Sequence, residues 1–201
     1  IATTDTLTVS EYTVTTTLTN GETYYWRVKV KNDDDIWSPW SSTWSFVPMN
    51  YDIGDTGPAG GLVFYDKGSY SDGWCYIESS PVATEWEGIE WGALGTDISG
   101  AEGTVVGTGK QNTADIVSYL GTGSTYAGQL CDRLEYGGYD DWFLPSKDEL
   151  NLMYENLHQQ GLGGFADYQY WSSSENFGGD AWNQDFLDGA QRNHKKTTNY
   201  R

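Results

Sequence analysis

The chain is poor in positive charge: 11 Lys and Arg stand against 29 Asp and Glu in 201 residues, a formal charge of −18. That balance excludes nucleic acid as a partner, because neutralising phosphates needs a basic face. Long apolar runs are missing too. None approaches the ~20 residues of a membrane span, and no basic-then-apolar signal opens the chain, so the sequence reads as a piece of something longer. Histidine is scarce: His158 and His194 are the two imidazoles, and neither sits in a motif that would make it a general base. No HExxH, CxxC, P-loop or dinucleotide fingerprint occurs, and abundant carboxylates in an acidic chain do not identify a glycosidase pair. The reading is therefore not an enzyme. Two cysteines are too few for a disulfide scaffold. Cys75 and Cys131 form either one bridge, as an exported protein allows, or two separate buried thiols.

Aromatics and glycine are plentiful, with ten Trp and fifteen Tyr against six Phe, and 25 Gly. Trp and Tyr supply buried area for one or two globular domains, and their polar handles suit half-buried or binding surfaces. The first fifty residues differ in texture from the rest. "YTVTTTL" (Tyr12 to Leu18) alternates as a strand, "TNGE" is a turn, and "TYYWRVKVKN" (Thr23 to Asn32) alternates again. In the second run Tyr24, Trp26, Val28 and Val30 share one face, predicted buried, while Tyr25, Arg27, Lys29 and Lys31 share a wet one. The triple Asp of "NDDDIWSPWSS" lacks the spaced ligands and glycine turn of a calcium loop and reads as a solvated turn. "TWSFVP" makes a last strand.

Prolines and glycines around "VPMNYDIGDTGPAGG" mark a boundary, giving domains 1–49 and 50–201. Residues 1–50 hold 6 acids and 3 bases, which leaves 23 acids and 8 bases, or −15, for residues 51–201. The second domain opens with strands at "GGLVFYDK" (Gly60 to Lys67) and "GWCYIESS" (Gly73 to Ser80), followed by an irregular stretch from Val82 to about Thr108. "NTADIVSYL" predicts a helix behind an Asn112 cap, and "STYAGQLCDRL" a second with Ala127, Leu130, Cys131 and Leu134 on its apolar stripe. No basic neighbour on that stripe would lower the Cys131 pKa, which favours a structural thiol.

"DDWFLPSKDEL" is the most densely written segment. Ser146 and Glu149 form an S-x-x-E capping box, Asp148 and Glu149 suit the positive end of the helix dipole, and Leu150, Met153, Tyr154 and Leu157 recur at core spacing. Trp142 is expected to anchor the sheet behind the helix. Asp140 and Asp141 remain as cation ligands, so calcium is the one cofactor this reading leaves open.

Two resemblances follow from these stretches. "LTNGETYYWRVKVKNDDDIWSPWSSTWSF" resembles the second half of a bacterial fibronectin type III domain, with Tyr24 as the tyrosine-corner residue that hydrogen-bonds back along the chain. "GDTGPAGGLVFYDKG", "GTGKQNTADIV", "LCDRLEYGGYDDWFLPSKDELNLMYENL", "YWSSSE" and "AWNQDF" together resemble the Lcl C-terminal domain family, the end domain of bacterial collagen-like adhesins and surface lipoproteins. That resemblance implies an α+β, C-type lectin-like domain, with short helices on a twisted antiparallel sheet and long loops, preceded by a partial all-β sandwich. It also implies an extracellular, secreted or surface-anchored setting and adhesion. Members of that family close with a strand like "VRAVR" where this chain reads "NYR", so a sheet edge is expected to lie unpaired and open to self-association.

Sugar sites stack aromatic faces on pyranose rings and bond hydroxyls through amides and carboxylates. "YWSSSENFGGDAWNQDF" supplies those types, and the candidate ligand residues are Glu175, Asn176, Trp182, Asn183, Gln184 and Asp185. "QRNHKKTTNYR" gathers Arg192, Lys195, Lys196 and Arg201, a basic patch for an acidic group. The expected function is adhesion through a glycan or a cell-surface protein; the alternative is a structural cap or assembly module of a surface appendage.

Overall fold

The computed structural model describes residues 14, 16–19, 21–92 and 94–201, and the chain divides into two units, residues 1–50 and 51–201. In the first unit, strands β1 (Tyr24–Trp26) and β2 (Trp44–Phe46) pair antiparallel, with Tyr24 opposite Phe46 and Trp26 opposite Trp44. Both aromatic pairs stack across the ladder, as cross-strand neighbours do. Of the strand expected at Tyr12 to Leu18, Tyr12, Thr13 and Thr15 lie outside the described residues, as does Asn20 of the turn; Val14 and Thr16 to Leu18 are not strand. The Tyr24 hydroxyl accepts the Thr19 amide at 2.8 Å, the back-bond expected of it.

Pairing extends past β1 in an unusual way. The Ser38 and Ser41 amides donate to the Val30 and Val28 carbonyls, and the Ser38 and Ser41 hydroxyls accept the Val30 and Val28 amides at 3.0 Å. Serine oxygens thus replace main-chain carbonyls along "WSPWS". This leaves Trp37 and Trp40 interleaved with the strand's cations: Arg27 lies 4.4 Å from the Trp40 ring, and Lys29 lies 4.3 and 4.8 Å from Trp37 and Trp40. The repeated Trp-Ser was the visible sign of this ladder in the sequence. The predicted burial of the other face is corrected: Trp26, Val28 and Val30 are exposed, and among the described residues β1 and β2 form a two-stranded sheet.

The second unit is mixed α and β, with short helices and small antiparallel sheets. Strands β3 (Leu62–Ser71) and β4 (Trp74–Ser79) pair as a hairpin. Helix α1 (Gly109–Leu120) begins three residues before the expected Asn112 cap. Asn112 is buried inside it and donates to the Gly103 carbonyl at 2.6 Å and the Ser173 hydroxyl at 3.2 Å, so it ties a loop and a strand to the helix instead of capping it. Helix α2 (Ala127–Asp132) is short, and α3 (Lys147–Asn156) carries both halves of the predicted capping box.

Strands β5 (Gln169–Phe177), β6 (Asp180–Asp185) and β7 (Gln191–Lys195) form an antiparallel sheet in that order. Its β5 edge is not left bare: the Trp171 amide donates to the Arg201 carbonyl at 2.8 Å, and the Arg201 amide to the Gln169 carbonyl at 3.0 Å. Tyr200 pairs in turn with Ile89. The expected unpaired edge is corrected there, since "NYR" itself lies along β5.

One core joins the irregular loop to α1, α2 and the sheet through Trp91, Ile98, Ile116, Leu144 and Trp171. Its two indoles are satisfied, Trp91 donating to the Ser172 carbonyl at 2.8 Å and Trp171 to the Ile89 carbonyl at 3.1 Å. A second core places Leu157 against Phe64 and Ile77, and a third places Leu150 against Tyr170 and Phe186. Trp142 does not anchor the sheet; its indole donates to the Tyr136 carbonyl and its ring meets Tyr136 edge-on, bracing the Tyr136–Tyr139 turn.

Candidate functional site

Strand β5 is buried continuously from Tyr170 to Glu175, polar residues included, because α1, α3 and the irregular loop all pack against it. Of the predicted ligand residues, Glu175, Asn183, Gln184 and Lys196 are buried. Glu175 and Lys196 are both buried and form an ion pair with each other. Lys196 also donates to the Thr96 carbonyl at 2.7 Å and lies 4.6 Å from the Trp91 ring, while Glu175 accepts the Ile98 amide at 2.7 Å. The pair pins the loop at residues 96–98 to the sheet, and Lys196 is not a surface cation. Lys195, the last residue of β7, is exposed, and Lys196, just past the strand, is turned inward.

Asn183 and Gln184 are interior as well. Asn183 meets the His194 ring at 3.0 Å, and Gln184 donates to Asn151 of α3 at 2.8 Å and to the Gly189 carbonyl at 3.1 Å. Asp185 accepts from Gln169 at 3.3 Å, from Arg192 at 3.2 Å and from the Leu187 amide at 3.0 Å. Arg192 is spent on Asp185 and Asp188, and its guanidinium holds the Asp188 carboxyl below the usual carboxylate range. These residues shape the β6–β7 turn.

Trp182, Asn176 and Lys195 keep access to solvent. Trp182 of β6 is half-buried and lies directly opposite Asn193 of β7, and Asp180 opposite Lys195, so these four side chains share one face of the sheet, which α3 meets at Gln184. Lys147, the first residue of α3, completes the group with its ammonium 4.2 Å from the Trp182 ring. The result is a half-buried indole beside a carboxylate, a carboxamide and two ammonium groups. Asp180, Asn193 and Lys147 escaped sequence reasoning; the alternation of "QRNHK" and the position of Lys147 at a capped helix start were the signals that could have found them.

A shallow groove of about 370 Å³ lies elsewhere on the unit, lined by Glu87, Gly88, Tyr168 and Arg201. Arg201, expected in the basic patch, is committed to Glu85 at 2.7 Å and to Glu87. Asp140 and Asp141 are exposed, and Asp141 pairs with Lys110 at 3.0 Å. Among the described residues no three His, Cys, Asp or Glu side chains come together as a metal site would need. No described helix is long and apolar enough to cross a membrane.

The disulfide alternative is corrected. Both cysteines are free: Cys75, on β4, reaches toward Asp66 at 3.7 Å, and Cys131, on α2, packs against the Trp91 core. Burial, with Asp132 nearby, pushes the Cys131 thiol up to about 12, and burial together with Asp66 raises Cys75. Neither is a reactive thiolate. In comparisons with known proteins, the chain matches no family model, no curated protein and no solved structure.

Proposed function

We propose that the second unit is a C-type lectin-like binding module of an extracellular bacterial adhesion protein, held on a fibronectin type III-like spacer formed by the first. The observation that carries this reading is the Trp182 face. A half-buried indole on the sheet offers an aromatic surface to a sugar ring, and Asp180, Asn193, Lys147 and Lys195 offer acceptors and donors for its hydroxyls. The resemblance of "GGYDDWFLPSKDEL" and "YWSSSE" to the Lcl C-terminal domain family supports the same reading, as does the Tyr24 to Thr19 bond for the spacer.

A glycan array probed with the full chain tests it, once in calcium and once in chelator. Recognition through Trp182 and its neighbours calls on no cation, so the same glycans should bind under both conditions and be lost in Trp182→Ala. Binding that survives Trp182→Ala would move the site elsewhere; no binding to any glycan would sink the lectin reading. The alternative, an assembly module, is favoured by one observation: Trp26, Trp44 and Phe46 of the first unit are exposed.

A further inference from the structure

We infer that the Trp182 face takes consecutive units of a neutral, extended glycan chain, with Phe177 as a second stacking platform; this rests on the glycan reading of Trp182. Phe177 pairs with Asp180 across the β5–β6 turn, and Asp180 with Lys195, so Phe177 joins the face that holds Trp182, Asn193 and Lys195. A register shift between Glu175 and Phe177 produces this placement. Strict alternation would leave Phe177 on the side of Glu175, which is buried; the shift turns it to the other side, where it is 59% exposed. Such irregularities concentrate beside functional sites because they re-aim a side chain, and here the side chain re-aimed is a large aromatic one. Helix α3 covers this face at Gln184, so its open part runs from Trp182 toward Phe177.

Two features select the ligand class. The first is spacing: Trp182 lies two residues along β6 from Asp180 and so diagonal to Phe177, about 7–8 Å away between backbones. One pyranose ring cannot cover both aromatics, whereas neighbouring units of one chain can. A sheet face suits the extended ribbon of equatorially linked pyranoses, and a lone terminal sugar would meet a single platform. The second feature is the state of the polar groups. Asp185, Arg192 and Gln184 are committed to one another's strands or to α3, but among the described residues the Asp180, Asn193 and Lys195 side chains make no hydrogen bond or ion pair. They are acceptors and donors left over beside the two rings. Their charges offset, Asp180 against Lys195, while Lys147 sits on the Trp182 ring, Lys196 is buried, and Arg192 and Arg201 are paired. No concentration of free positive charge remains to favour a sulfated or carboxylated chain over a neutral one.

Calorimetric titration of the full chain with β-1,4-linked gluco-, manno- and chito-oligosaccharides, from mono- to hexasaccharide, tests the inference. In at least one series the Kd should tighten from the mono- to the tetrasaccharide. Phe177→Ala should weaken the tetrasaccharide roughly 10-fold, the worth of burying about half of a Phe side chain, and leave the monosaccharide within ~2-fold. Phe177→Tyr, which keeps a ring, should restore the difference, and unchanged thermal unfolding of both variants is expected of an exposed side chain. A heparin-derived hexasaccharide should bind no more tightly than the neutral one. Equal binding of mono- and hexasaccharide, a tetrasaccharide indifferent to Phe177→Ala, or tighter binding of heparin would overturn the inference and leave Trp182 as a lectin site. No binding in any of these series would overturn it too, and the lectin reading would fall with it only if the glycan array were also blank.

Discussion

Replacing Lys196 with Met should destabilise the second unit far more than the same change at its neighbour Lys195. Lys196 makes three interior contacts, with the Glu175 carboxylate, the Thr96 carbonyl and the Trp91 ring, and both members of the ion pair are cut off from water. Methionine fills most of the aliphatic volume but leaves Glu175 with the Ile98 amide and no counter-charge. Removing one partner of a buried pair costs about 3–5 kcal/mol, because the remaining charge keeps its desolvation penalty. For a unit of this size that corresponds to a melting temperature lower by roughly 6–20 °C. Lys195→Met, on an exposed side chain, should stay within ~0.5 kcal/mol. Urea unfolding followed by tryptophan fluorescence reads both variants, and Lys196→Met/Glu175→Gln should recover part of the loss because no unpaired charge remains. A cost below ~1 kcal/mol for Lys196→Met would refute the reasoning, since that is the range of surface substitutions and would put Lys196 back in a solvated basic patch.

Ser146→Ala removes the helix cap of α3 and the hydroxyl's bond to the Val105 carbonyl, and should cost ~1–2 kcal/mol in the same unfolding assay; a value under ~0.5 would contradict the cap. Neither thiol should react quickly with a disulfide reagent at pH 8 in the native chain, and two should react after denaturation; a fast thiol in the native chain, or none after denaturation, would count against two free thiols of raised pKa. Glu149 makes a prediction about pH. Burial raises its carboxyl above 4.5, outweighing the amides of Ser146, Gly107 and Gly109 that lower it. The native state then holds this proton more tightly than the unfolded chain, so the Glu149 contribution to stability falls as pH rises from the unfolded value through the raised native one, and is flat beyond it. Subtracting the pH profile of Glu149→Gln from that of the natural chain should expose this slope; a difference that rises with pH across that window would show the opposite shift.

Local chemistry was the legible part of the fold. The capping box, the β3–β4 hairpin and the core spacing of α3 are each specified by residues within a turn or two of one another, and they appear in the structure where periodicity put them. The candidate site was read less well because β5 hides polar residues inside. Ser172 donates to the Trp182 carbonyl, Ser174 to the Gly103 carbonyl, and Ser173 accepts from Asn112. Some of those partners lie 60 or more residues away along the chain, in α1 and in the irregular loop before it, so no local pattern marks "SSSE" as interior. Trp182 is half-buried opposite Asn193, on a face where Gln184 is buried against Asn151 of α3. In the first unit the alternation was right about which residues share a face. It could not say whether anything covers that face, because burial depends on what packs against it.

The acidity of the second unit is partly consumed by its own loops. Glu78 accepts the Ala59 and Gly61 amides at 3.3 and 3.0 Å, Glu149 accepts those of Gly107 and Ser146 at 2.7 Å, and Glu175 accepts that of Ile98. Each carboxylate gathers main-chain donors that an irregular loop cannot pair within itself, which is the condition for burying such a loop. The glycines of two motifs follow from the same contacts. A Cβ at Gly57 would collide with the Glu78 carboxylate and one at Gly109 with that of Glu149, so "TGPAGG" and "GTGK" are glycine-rich where a carboxylate must press against the backbone. Such a Glu and its glycine loop act as one unit: Glu78→Gln puts an amide donor among amide donors and should loosen residues 57–61 much as Gly57→Ala does. If hydrogen exchange in that loop rose in one variant and not in the other, the pairing of carboxylate with glycine would be a coincidence of sequence.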